Sequence, residues 1–446
     1  MTSEQLIDRS AAAQDVLALQ TTLEKDFAYL HASDFGRELP EFLAQIQADL
    51  PEEQSLSEWA ATIQGVLSLS IDGHARVREF KPISGAIPAL FHVAGAEVVA
   101  VKPDRSDFLL PGFPFLKAID GRDVTDWLPV VGTQVAGIGA TWRRERTVSG
   151  LLWLQQWRRK LNLPERPDAV LTLEGEAGKR ELHLTLVQDK PDYGVWPAAG
   201  SRWIGQVGYL RLPAMTPRAA QEIQHWLPEF QSASGLIIDL RGNSGGMREA
   251  FLPLLRALQP RDAEPRVVNV ACSRQFNAES AERMAGRFLF PESSTHWTAQ
   301  ERVVIQELKE VFQPYWTPPK GQFGEWHYML IHPAGSEEPV IPCPVVILTD
   351  GMCFSATDIF LCGVRGLPDV TLLGETSGGG SGSAMTHTLP SGLQFRVASM
   401  ASFKPSGELL EGNGIAVNVQ VNPSPESFLK GGVDSVLEKA LTLLMG

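Results

Sequence analysis

Along AAQDVLALQTTLEKDFAYL and ELPEFLAQIQADL, apolar residues recur at three- and four-residue steps, which predicts helices through residues 10–70. The Pro51 region interrupts them. Ser55, followed three residues later by Glu58, has the spacing of a capping box at the start of the next helix. The stretch ATIQGVLSLSIDGHARVREF then passes from helix through Asp72-Gly73, a turn signal, into a strand. Beyond residue 85 the pattern shortens. EVVAV, FLKAID and AVLTLEG are β-like runs between Pro/Gly turns, and ELHLTLV closes the segment in clean alternation. The charged, Trp-rich stretch GLLWLQQWRRKLNL is expected to be a helical insertion, and the stretch from Pro191 through WPAAGSRW a linker.

From about residue 203 strands and helices alternate. GYLRL is a strand, and TPRAAQEIQHWLPEF a helix opened by Thr216-Pro217, the usual cap and first-turn pair. GLIIDLRG is an apolar strand of the buried parallel type, leading through NSGG into REAFLPLLRAL, a predicted helix. VVILTD leads through GMCF into the helix SATDIFLCGV, and VTLLGE is a further strand. The reading is an α/β chain in three parts: a helical region over 1–80, a β-rich segment over 85–190 and an α/β core over 200–446.

Composition narrows the function classes. A length of 446 residues suits two or three domains, and 43% hydrophobic residues can fill their cores. The formal net charge of -13 argues against a nucleic-acid partner, which needs a basic stripe, and against docking on an anionic membrane. No apolar run reaches the ~20 residues of a membrane-spanning helix. The opening MTSEQLIDRSAAAQDVL is unlike a secretory signal, and Cys272, Cys343, Cys353 and Cys362 form no CxxC pair. These features lead us to expect reduced thiols and a cytoplasmic location.

Three loops carry candidate chemistry. In VVILTDGMCFSATDIFLCGV, a buried strand turns at Asp350-Gly351 into a helix that starts near Ser355. A serine there meets unpaired backbone N–H groups able to hold an oxyanion, although serine is also the commonest helix cap. DLRGNSGGM, from Asp239 to Met247, is a second strand–helix turn, and the amides of Gly245 and Gly246 could complete that oxyanion site. GETSGGGSG, Gly374 to Gly382, lacks the Lys-Ser/Thr of a phosphate loop and the spacing of a dinucleotide fingerprint. A serine nucleophile needs a base. His31, His183, His225 and His296 lack supporting context, whereas His74, behind the Asp72-Gly73 turn, and His387, in SAMTHTLPSG, are rivals that spacing alone leaves open.

Taken in order, DGH, GYLRL, GLIIDLRGNSGG, FSATDIF, GETSGGGSG, LPSGL and GELLEGNGI resemble the S41 serine peptidases, which include the carboxy-terminal processing and tricorn proteases. The resemblance implies a ClpP/crotonase-like core and, over 85–190, a PDZ-like module. It implies Ser355 as nucleophile, Asp358 as the acid that follows it, and Ala356 N–H with Gly245 or Gly246 N–H as oxyanion hole. Processing proteases take their base from a lysine in this region, but Gly380 stands at that position here. The tricorn-like branch instead implies His74 as base and Glu411 of LLEGNGI as its supporting acid. Gly73 replaces that branch's serine before the histidine, and Val417-Asn418 its Pro-Asp. The implied activity is cleavage of peptides or unfolded proteins without cofactor or metal. The alternative is a non-catalytic peptide- or lipid-binding protein on the same scaffold, and a third reading is an esterase of small acyl groups.

Overall fold

The computed structural model describes residues 5–78, 85–275 and 277–445. The expected change from helix to strand near residues 80–85 falls largely in 79–84, outside the described residues.

The N-terminal region forms the helices Arg9–Asp26, Phe35–Ala48 and Leu56–Leu67. The capping box has both arms: Ser55 Oγ accepts the Glu58 amide at 3.2 Å, and the Glu58 carboxylate accepts the Ser55 amide at 3.2 Å. The apolar faces of these helices, with Val16, Leu19, Trp59 and Ile63, share one cluster with Val270, Phe395 and Phe403 far downstream. That shared core draws the turn at residues 72–74 against the strands near the C-terminus.

Residues 90–185 build an antiparallel sheet in the order Leu90–Ala94, Glu97–Val101, Phe115–Ile119, Asp168–Gly175, Gly178–Thr185. Its own apolar cluster includes Leu116, Trp127, Trp157 and Leu171. The Trp-rich stretch is helical only over Leu154–Lys160, after a separate helix Ala140–Gly150. There the buried Arg158 donates to Asp120 Oδ2 from Nε at 3.0 Å and Nη2 at 2.7 Å.

The α/β part is built on a six-stranded sheet in the order Arg202–Ile204, Val207–Arg211, Gly235–Asp239, Val345–Thr349, Val370–Gly374, Val419–Gln420, parallel after the first pair. Asp239 pairs with Leu348, and Thr349 with Gly374, so three strands end level. The loops that follow them, 240–247, 350–355 and 375–382, emerge together at the carboxyl edge, where parallel sheets usually place their sites. Thr216 caps its helix with Pro217 in the first turn, as expected. REAFLPLLRAL is less regular than its pattern predicts. Pro253 has no N–H to donate and is restricted to a first turn, so the α-helix runs only over Leu252–Ala257, behind a 3-10 turn at Arg248–Phe251.

A buried ion network ties the C-terminal helix Ser435–Met445 to this sheet. Asp239 accepts the Tyr209 hydroxyl at 2.7 Å and the Arg241 guanidinium at 2.6 Å, and Arg241 reaches Asp434 at 2.7 Å. Burial alone would raise the Asp239 carboxyl, but Arg241 and Arg211 outweigh it and hold the pKa at about 2. We expect Asp239→Asn, which leaves Arg211 without a counterion and Arg241 with Asp434 alone, to cost about 3–5 kcal/mol in urea unfolding at pH 7. Because the folded pKa lies below the unfolded value of about 3.9, this stability is present above that value and lost as pH falls toward 2. The gap between wild type and variant should therefore close over that interval.

Candidate active site

Ser355 and Ser55 occupy the same place in two helices, each three residues before an acid, yet they behave differently. Ser355 precedes the helix Ala356–Val364 with φ 61° and ψ -117°, and its side chain makes no capping hydrogen bond. A non-glycine residue in this region costs roughly 1–3 kcal/mol and persists only where its surroundings enforce it. Asp358 holds the third-position place of a capping-box acid, near enough to the Ser355 amide for that amide to lower its pKa. The acid of such a box is thus in place, but the hydroxyl that would complete it makes no capping bond.

Two buried side chains that sequence reasoning did not weigh, or weighed only by resemblance, enforce this turn. Asn243 accepts the Gly245 amide at 2.9 Å and the Thr357 hydroxyl at 2.8 Å through Oδ1, and its carbonyl accepts the Phe354 amide at 3.0 Å. It thus pins the first glycine loop to the serine turn. Asp358 accepts the Ser377 hydroxyl at 2.5 Å and the Gly380 amide at 3.1 Å, which pins the third loop to the same turn. Burial pushes the Asp358 carboxyl up to about 7, against the lowering effect of Ser377 and of the amides of Gly380, Gly379 and Ser355.

The glycines of the first loop divide in role. A Cβ at Gly245 would lie 2.8 Å from Ser355 Cβ and 2.9 Å from the Ala356 nitrogen, so this glycine is what lets the two turns touch. Its own amide is already donated to Asn243. Gly246 bridges Met215 in parallel fashion, and that bridge uses the Gly245 carbonyl and the Met247 amide. The Gly246 amide faces away from it.

His74, Asp72 and Glu411 come together, with one potential ligand atom from each lying within 4.8 Å of the others. His74 Nδ1 stands 3.4 Å from Asp72 Oδ1 and is buried without a hydrogen bond. Asp72 accepts the amides of His74 at 2.8 Å and Ala398 at 2.7 Å. Glu411 accepts the Ser381 amide at 2.7 Å and the Tyr29 hydroxyl. Burial raises the Glu411 pKa to about 8, with the Tyr29 hydrogen bond opposing the rise and the Asp72 charge adding to it. A metal could draw on one imidazole and two carboxylates here, but all four carboxylate oxygens already accept a donor, an arrangement suited to orienting an imidazole. Tyr29, in the turn after the first helix, carries no local sequence signal for this role. His387 lies elsewhere, stacked on Phe395 with ring centroids 5.3 Å apart and 3.8 Å from Asp26.

Phe354, next to the serine, joins the two groups and accounts for both departures at glycine. Its ring stacks on Trp142 at 4.4 Å between centroids and meets the His74 ring at 4.6 Å. A Cβ at Gly73 would lie 2.7 Å from the Phe354 ring, and one at Gly380 only 2.3 Å. Neither a serine before the histidine nor a lysine in the third loop fits beside this ring.

Residues 206–421 match the model of peptidase family S41. The structure of mature CPAF complexed with lactacystin is similar, with a TM-score of 0.69 and 16% identity over 98% of each chain. That of mature CPAF gives 0.68 and 16% over 94% of each chain. The photosystem II D1 C-terminal processing protease gives 0.45 and 14% over 93% of this chain and 94% of that one. At such identities the CPAF likeness speaks to the fold. No curated protein matches the chain.

If Phe354 is what excludes a side chain at residue 380, the two positions must be energetically coupled. We expect Gly380→Ala to destabilise by about 1–3 kcal/mol through overpacking, and by clearly less in a Phe354→Ala background. A double-mutant cycle by urea unfolding measures the coupling, and strict additivity would contradict the steric account.

Proposed function

We propose that this chain, whose residues 206–421 match the model of peptidase family S41, is a serine-type peptidase that cleaves peptide bonds through an acyl-enzyme at Ser355, with His74 as general base. The observation that carries the proposal is the backbone of Ser355, held at φ 61° with no capping hydrogen bond from its hydroxyl. A serine that merely capped the helix would have no need of that strain.

In the proposed reaction His74 takes the hydroxyl proton as Ser355 Oγ adds to the substrate carbonyl. The amides of Ala356 and Gly246 hold the resulting oxyanion, since Gly245 has spent its own on Asn243. His74 then gives the proton to the leaving amine, and water, activated the same way, releases the acyl group. Asp72 and Glu411 favour the imidazolium that forms in each half. The substrate is a peptide or an unfolded protein. We read the sheet over residues 90–185 as a PDZ-like module that would offer a strand edge to such a chain, and the six-stranded part as a ClpP/crotonase-like core. Among the described residues no helix is long and apolar enough to cross a membrane.

We expect Ser355→Ala to abolish hydrolysis of an unfolded protein while leaving thermal unfolding essentially unchanged. A fluorophosphonate probe should label Ser355, and His74→Ala should slow labelling by about 10²–10⁴-fold. A folded protein that takes no label would instead be a binding protein on this scaffold.

The pH dependence follows from Glu411. Turnover should climb as pH rises through about 8, where the carboxylate ionises and supports the imidazolium, and Glu411→Gln should remove that limb of the profile. For stability the sign is the reverse. The folded state keeps this proton up to about 8, while the unfolded chain loses it near 4.3. The group's contribution is therefore full below the unfolded pKa and is lost as pH rises through the folded one.

A further inference from the structure

Arginines gather beside the site in a chain whose net charge is -13. Arg76 lies two residues past His74 and pairs directly with Arg396 across the small sheet of Ala384–Thr388, Gln394–Ala398 and Arg76–Val77. Like charges directly opposite each other in a sheet are unfavourable. Arg78 follows on the same face, and both it and Arg76 are exposed. Burial, then Arg76 and Arg78, lower the Arg396 pKa, and burial, then Arg76, lower that of Arg146. Arg78 reaches the Thr386 hydroxyl at 3.4 Å and Arg396 the Ala384 carbonyl at 3.1 Å, but Arg396 Nε is buried with no partner. Arg146 lies 5.4 Å over the Trp142 ring. Among the described residues none of these four forms an ion pair.

Arg76 and Arg146 line a cavity of about 570 Å³ together with Gly73 and Trp142. Gly73 precedes His74, and Trp142 stacks on Phe354, the neighbour of Ser355. The cavity therefore lies beside the His74 turn and is one ring layer, Trp142 on Phe354, away from the serine turn. Glu145 and Asp350 line it too. Glu145 is held well above the usual carboxylate range by burial and by the charges of Asp350 and Glu375. Asp350 is satisfied by the amides of Gly242, Met352 and Cys353 at 2.8–3.1 Å. The guanidiniums are thus the charges left without partners. A cationic recess on an acidic protein focuses its field on whatever anion comes close.

We propose that this cavity is a substrate subsite that takes an acidic side chain, aspartate or glutamate, of the cleaved segment between Arg76 and Arg146. The assignment rests on the peptidase reading but makes a claim about binding alone. An acidic stretch, repelled by the net negative charge of the chain, would find a complement in this recess.

The test uses the full chain carrying Ser355→Ala, so that binding is read without turnover. Labelled peptides with amidated C-termini, identical except for glutamate or glutamine at two central positions, are titrated by fluorescence anisotropy. We expect the glutamate peptide to bind about tenfold more tightly, with the margin shrinking as salt is raised. Arg76→Gln with Arg146→Gln should erase the margin and leave the glutamine peptide's affinity unchanged. Arg76→Lys with Arg146→Lys should keep much of the margin, which separates lost charge from lost fold. Equal affinities at low salt, or a margin that survives both glutamine substitutions, would overturn the subsite. So would a gain confined to a glutamine peptide with a free C-terminus, which would make the ligand a terminal carboxylate. If the wild-type chain takes no fluorophosphonate while the margin persists, the peptidase reading fails and the carboxylate site stands.

Discussion

A single aromatic ring sets the distance between the two halves of the proposed site. Phe354 follows a central strand and stands one residue before Ser355, while the loop that carries His74 arrives from the other end of the chain. What makes them neighbours is that Gly73, Gly378 and Gly380 all lie flat against this ring, with Trp142 stacked on it. Burying such a ring contributes on the order of 2–3 kcal/mol, and stacking adds roughly 0.5–1.5 kcal/mol. Those magnitudes suffice to hold one imidazole in place, and they depend on the glycines having no side chain. The same packing explains why a lysine at residue 380 has no room here.

The second constraint is electrostatic. Asp72, Asp358 and Glu411 are all essentially inaccessible to solvent. Buried carboxylates without partners would be costly, yet each of these is surrounded by donors, mostly backbone amides from the third loop, from the His74 turn and from the strand ending at Ala398. The carboxylates thereby fasten the third loop to the serine helix and to Glu411, and the His74 turn to the strand ending at Ala398. Two of them are also held near neutrality by burial, Asp358 at about 7 and Glu411 at about 8. Groups that both brace the site and titrate close to working pH link its shape to its protonation.

Much of this was legible in the sequence, for definite reasons. The strands were readable because a parallel sheet buried on both faces must be apolar throughout, as GLIIDL and VVILT are. The helix starts at Ser55 and Thr216 were readable because capping is chemistry local to a few residues. The glycine turns marked the loops but not their partners. Gly245 and Gly246 look interchangeable in the sequence, and only the hydrogen bond to Asn243 separates them. Asn243, Tyr29 and Phe354 gave no warning, because each acts on residues distant along the chain: Tyr29 reaches Glu411 across 382 positions. The choice between His74 and His387 was likewise a tertiary matter. A histidine on a strand that stacks on a phenylalanine and one that faces two buried acids are alike in a window of ten residues.

The route by which the halves meet bears on how the site assembles. The N-terminal helices bury their apolar faces in a cluster shared with strands between residues 267 and 403. Tyr29 donates to Glu411 and accepts the Ser402 amide from that same cluster. His74 is thus carried to Phe354 by a core that requires both ends of the chain to be present. Such contacts close long loops, whose entropy must be met before packing rewards it. The six-stranded sheet, with its own separate cluster, can level its three loops and set the Ser355 turn on local terms. On this geometry the strained Ser355 turn belongs to the core of the six-stranded sheet, whereas His74 reaches Phe354 through the core shared with the N-terminal helices.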